Sequence, residues 1–162
     1  MRELQLTRSP DDKRRLDLPG VGSVRFENMW GTKLCFSSAG GAEWRIAGRR
    51  RGPVEVRDAL GTTVATIDGR RATQGDRHVD VITPHQGLLE RRPPFVLLEG
   101  DRELARVASR VWDEKPIDVT VLDEDFVSRE PMLFLVALYA ANRIASSRQA
   151  AAAASATGIG TP

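Results

Sequence analysis

The sequence predicts a mainly β protein in which a closed antiparallel barrel is wrapped around one buried, hydrophobic C-terminal helix. Two observations carry this expectation. Met132 to Ala141 is a run of ten residues without a charge, where a surface helix would show polar residues every third or fourth position. Crossing a bilayer as a helix takes about 20 such residues, so a run that soon meets Asn142, Arg143 and Ser146 must instead be buried inside protein. Ahead of it, roughly eight to eleven short strands follow one another with turn signals about every eight to twelve residues. Consecutive antiparallel strands tend to be neighbours, and a closed sheet removes its own edges. A barrel wide enough to hold the helix meets both demands.

Taken in order, residues 1–21 form a strand and loop segment, with a strand near Leu4 to Thr7 and then charges and the breakers Pro10, Pro19 and Gly20. Val24, Phe26, Leu34 and Phe36 are candidate strand residues, and Trp44 and Ile46 share one face of a strand over Glu43 to Ala47. Val54 to Arg57 and Thr62 to Ile67, joined by Asp58-Ala59-Leu60-Gly61, read as a hairpin with Asp opening the turn and Gly closing it. Phe95 to Glu99 and Glu103 to Val111 repeat that design around Gly100-Asp101. Arg77 to Thr83 alternates like a strand, and Ile117, Val119 and Val121 mark the last one. The helix is expected over 131–147, capped by Ser128, with Glu130 and Pro131 suited to its first turn and Arg143 and Arg148 to its far end. The barrel domain is thus expected over 22–147, and the alanine-rich residues 148–162 as a disordered tail.

Composition limits the function classes. With 162 residues, 41% hydrophobic and 28% charged, the chain fits one ordinary globular domain. Residues 1–92 hold 17 Lys and Arg against 12 Asp and Glu, the remainder 7 against 10, a mild polarity compatible with an anionic surface and short of a dedicated nucleic-acid binder. The first residues carry charge but no apolar run, so the expected location is cytoplasmic, with peripheral membrane association as an option. No dinucleotide fingerprint, phosphate loop or nucleophile elbow occurs, and Gly20-x-Gly22 reads as a turn, so no cofactor and no enzymatic activity are expected.

Three groups of arginines stand next to turns: Arg49, Arg50 and Arg51; Arg70 and Arg71; Arg91 and Arg92. If the hairpins bring those turns to one rim, they form a collar for phosphate or lipid headgroups, because guanidinium forks match phosphate oxygens. The simpler reading is scattered solvating charge. His78 and Asp80 lie two apart on a strand and so share a face, as a base and its orienting carboxylate would. No Ser or Cys nucleophile stands near them in the pattern, which favours a solvated strand face. Cys35 with His78 and His85 lacks zinc-ligand spacing, and Cys35 beside Phe36 reads as a small buried residue. Trp30, Trp44 and Trp112 are expected to pack in the barrel or around the helix.

The strand meander with its Asp-x-x-Gly hairpin over Val54 to Ile67, the strand Ile117 to Leu122, the acidic link Asp123-Glu124-Asp125-Phe126 and the helix from Pro131 to Ile144 together resemble the tubby C-terminal-like superfamily. That group includes the plant LURP-one-related proteins, the phospholipid scramblases and small bacterial relatives. The resemblance spans roughly residues 22–147 and implies a barrel of about twelve strands with a hydrophobic C-terminal helix through its centre. Tubby-type members bind phosphoinositides through basic surface residues, and scramblase-type members act at membranes. Scramblase-like proteins carry an Asp-x-Asp calcium segment where Asp123-x-Asp125 stands here, but the five residues between Asp125 and Pro131 are too few to complete a twelve-residue calcium loop. The scramblases' cysteine-rich lipidation run is also missing, so lipid scrambling does not carry over. The expected function is therefore non-enzymatic binding of an anionic phospholipid or another phosphate-bearing ligand. The alternative is a structural or regulatory module that binds a protein partner and no small ligand.

Overall fold

The computed structural model describes residues 1–28, 32–47, 52–83, 92–113 and 115–157. Twelve antiparallel strands close into a barrel: β1 (Arg2–Arg8), β2 (Arg15–Leu18), β3 (Gly22–Phe26), β4 (Lys33–Ser38), β5 (Glu43–Ala47), β6 (Val54–Arg57), β7 (Thr63–Asp68), β8 (Arg71–Gln74), β9 (Arg77–Ile82), β10 (Phe95–Glu99), β11 (Arg102–Val107) and β12 (Ile117–Val121). Each strand pairs with its neighbours in sequence, and β1 pairs with β12 from Arg2↔Val121 to Leu6↔Ile117, which closes the ring. Two helices follow, α1 (Glu124–Arg129) and α2 (Pro131–Thr157).

The up-and-down order sorts the connections onto two rims. Those after β2, β4, β6, β8, β10 and β12 lie on one, the lower rim, where α2 begins; those after the odd-numbered strands lie on the other, the upper rim, where α2 leaves the barrel. Strand alternation explains the wall. In β6 Val54 and Val56 point in while Glu55 and Arg57 point out, and Ala65 with Ile67 and Val79 with Val81 repeat the pattern in β7 and β9. The inward set meets α2, whose residues from Met132 through Ala141 are all buried; Leu133 to Ala137 have no exposed surface. Removing a Leu or Phe side chain from water is worth about 1.5–3 kcal/mol each, so this ten-residue run forms the centre of the core.

Two local features set the fit of the helix. Gly22 lies where a Cβ would come 2.1 Å from the Ser37 carbonyl oxygen and 3.0 Å from Leu135 Cδ1, so only glycine lets β3 pass this close to β4 and α2. Asn142, buried at the upper rim, accepts the Trp112 backbone N–H at 2.9 Å and thereby pins the β11–β12 connection to the helix. Trp112 and Tyr139 lie with ring centroids 6.0 Å apart, and Tyr139 meets Phe36 edge-on. Trp112 is buried, Trp44 packs partly buried against the core, and Trp30 lies outside the described residues.

Several expectations need correction. The barrel begins at Arg2, not at residue 22, because β1 and β2 supply the closing pair of strands. Ser128 does not cap the long helix. It lies inside α1, and Asp123 is the cap, its Oδ1 accepting the Phe126 N–H at 3.0 Å. The acidic link is therefore a helix start, with Glu124 and Asp125 in the first turn. α2 also runs ten residues past Ser147, so 148–157 are helical rather than disordered; residues 158–162 lie outside the described set. A helix already nucleated by its buried half adds one hydrogen bond for each alanine it extends over, which overcomes the fraying expected of a free alanine segment.

Candidate anion-binding site

Along the barrel wall most arginines are neutralised by acidic neighbours; among the described residues Arg2 and Arg8 of β1 form no ion pair. Arg25 meets Asp12 at 2.8 Å, Arg45 meets Glu27 at 3.1 Å, Arg57 meets Glu55 at 2.8 Å and Arg106 meets Glu103 at 3.0 Å. Arg102 pairs with Asp123, and Arg77 reaches Glu99 at 2.8 Å and Glu130 at 2.9 Å while lying over the Phe126 ring. Hydrogen bonding from Arg77 holds the Glu99 carboxyl below its ordinary range, against the opposing effect of burial.

The upper rim differs. Arg70, Arg92, Arg110, Arg143 and Arg148 ion-pair with no carboxylate among the described residues. Three of them contact oxygens or a ring instead. Arg148 donates to Thr83 Oγ1 at 2.9 Å and lies over the Phe95 ring, Arg143 donates to the Gly52 carbonyl at 3.3 Å, and Arg110 donates to the Pro116 carbonyl. These partners hold the guanidiniums in place without cancelling their charge.

Two clefts flank α2 where it emerges. One, of about 430 Å³, is lined by Arg92, Arg110 and Arg148 with Pro93, Val111 and Ala145; the other, of about 590 Å³, by Arg70, Arg143 and Arg148 with Ile144 and Ala151. Arg148 is common to both. Asp68 lines the second cleft and Asp113 the first, each beyond ion-pair distance of these arginines. Each cleft combines guanidinium groups with apolar surface, a combination suited to an anion that carries a nonpolar part.

Of the sequence-predicted collar, Arg70 and Arg92 line these clefts. Arg71 does not: it stands on β8 and gives both oxygens of Asp80 a partner, at 2.8 and 3.2 Å. Arg49, Arg50, Arg51 and Arg91 lie outside the described residues; Gly52, the chain neighbour of Arg51, lies at the upper rim against Arg143. Arg110, Arg143 and Arg148 line the clefts from outside the predicted collar. His78 is on the outer wall, its Nε2 4.0 Å from an Asp80 carboxylate that Arg71 already engages, and it lines neither cleft. Cys35 is buried in the wall, and burial pushes its thiol up. His85 lies outside the described residues, among which no group of three or more His, Cys, Asp or Glu is placed to hold a metal.

Comparison with protein-family models, curated proteins and solved structures finds no match for this chain. Among the described residues no helix is long and apolar enough to cross a membrane.

Proposed function

We propose that the protein is a non-catalytic binder of phosphate-bearing anions, anionic lipid headgroups foremost, and that it holds them at the mouth where α2 leaves the barrel. One observation carries this reading: five arginines gather around two clefts at that mouth with no carboxylate partner among the described residues, while most wall arginines are occupied by acidic neighbours and the unpaired Arg2 and Arg8 of β1 line neither cleft. A basic side chain at an anionic membrane surface contributes about 1 kcal/mol, so four or five acting together supply useful affinity. The resemblance to the tubby-like, LURP-one-related and scramblase-like proteins supports the same direction, and we propose that kinship on the order of strands, acidic link and central helix. Vesicle flotation tests the reading. Binding is expected to vesicles containing phosphatidylserine, to weaken as salt is raised, and to be lost on pure phosphatidylcholine. Salt-insensitive binding, or binding unchanged in the Arg70→Ala, Arg92→Ala, Arg148→Ala triple variant, contradicts it.

A further inference from the structure

The two rims carry opposite charge. The lower connections hold seven Asp and Glu against Arg129 alone, whereas the described upper connections, with the emerging part of α2, hold eight Lys and Arg against four Asp and Glu. The barrel is polarised along its axis, positive where α2 leaves. Beyond that rim α2 continues without a charge after Arg148, and Gln149 through Ala156 are exposed. Gln149, Ala151 and Ala152 still line the clefts, and at 1.5 Å per residue the end from 153 to 157 reaches about 7 Å beyond them.

A small soluble phosphate would satisfy the arginines and leave this neutral rod in water. A bilayer accommodates both features, because the arginines meet the phosphate layer while the rod enters a headgroup zone roughly 5–7 Å deep on each face. The acidic lower rim is repelled by the same surface, which selects one orientation. We infer that the protein stands end-on on a negatively charged bilayer, upper rim toward the lipid, with residues 153–157 within the headgroup layer. This rests on the anion-binding reading and adds to it the direction of approach and the placing of the end of α2.

The test places an environment-sensitive dye on Ser155→Cys in the projecting end, which lines neither cleft, or on Ala59→Cys in a lower connection of the full chain. Buried Cys35 is retained, or replaced by Cys35→Ala if the parent protein takes up dye. On phosphatidylcholine vesicles containing about one third phosphatidylserine, the residue-155 probe is expected to shift to the blue and to be quenched by headgroup-region spin labels. The Ala59 probe is expected to keep its emission in water. Equal quenching at both probes, quenching at Ala59 alone, or none at either in vesicle-bound protein overturns the orientation. A parallel titration with tripolyphosphate separates the two readings. Salt-sensitive binding of tripolyphosphate without vesicle flotation overturns the bilayer inference and leaves the anion site standing, whereas binding to neither removes both.

Discussion

Gly22 shows how one missing methyl group shapes the core. A Cβ there would sit 2.1 Å from the Ser37 backbone oxygen, so the backbone must shift to admit it, and Gly22→Ala is expected to destabilise the fold by about 1–3 kcal/mol, read as a lowered denaturant midpoint. Arg77 acts through charge. It bridges the β8–β9 turn, Glu99 and the residue before α2, and Glu99 is depressed from the ordinary value of 4.5 mainly by hydrogen bonding from Arg77. A depressed carboxyl contributes stability above its unfolded-state pKa and loses it as pH falls through the folded value. Arg77→Gln should therefore move the acid-unfolding midpoint to higher pH. The cost at neutral pH is small, about 1 kcal/mol, because the Arg77 side chain is 41% exposed. An acid-unfolding curve unchanged in Arg77→Gln would count against that bridge.

At the scale of elements, α2 divides into a buried half and a projecting half with opposite sensitivities. Leu135→Asp or Leu138→Asp puts an unpaired carboxylate among side chains with almost no exposed surface, at a cost of several kcal/mol, and the expected product is insoluble. Removal of residues from Gln149 onward should leave the melting temperature nearly unchanged, since Gln149 to Ala156 touch water. The buried half was legible because ten uncharged residues admit no other placement. The Val54 to Ile67 hairpin was legible from its turn, where Asp58 Oδ1 accepts the Leu60 and Thr62 N–H groups and Gly61 takes a φ of +81°. β2 and β8 were not. Each has four residues; β2 hides behind the charges at 11–15, and β8 presents one buried side chain, Ala72. The cap also escaped notice, because an Asp opening a six-residue helix looks the same as an acidic loop until the Phe126 amide is seen beneath it.

Those two short strands matter at the scale of the molecule, because rim assignment is a parity count. In a closed meander the connections after odd-numbered strands share a rim, so correct numbering puts Arg70, Arg92 and Arg110 together beside the emerging helix. Without β2 and β8 the parity is lost, and the collar remains conditional on the sequence alone. Arg71 shows the other limit: its neighbour Arg70 faces a cleft, while one residue further the strand has begun and Asp80 lies within reach. The central claim is that position, and not net charge, makes the upper rim an anion site. It is tested most directly by measuring phosphatidylserine-vesicle affinity for two charge-matched variants. One replaces the rim residues Arg70, Arg92, Arg143 and Arg148 with Ala; the other replaces the ion-paired wall residues Arg25, Arg45, Arg57 and Arg106, with folding of both checked by circular dichroism. At about 1 kcal/mol for each lost contact, the rim variant should bind about a thousandfold more weakly than the parent protein while the wall variant stays within about tenfold. Equal losses in the two variants would contradict the account.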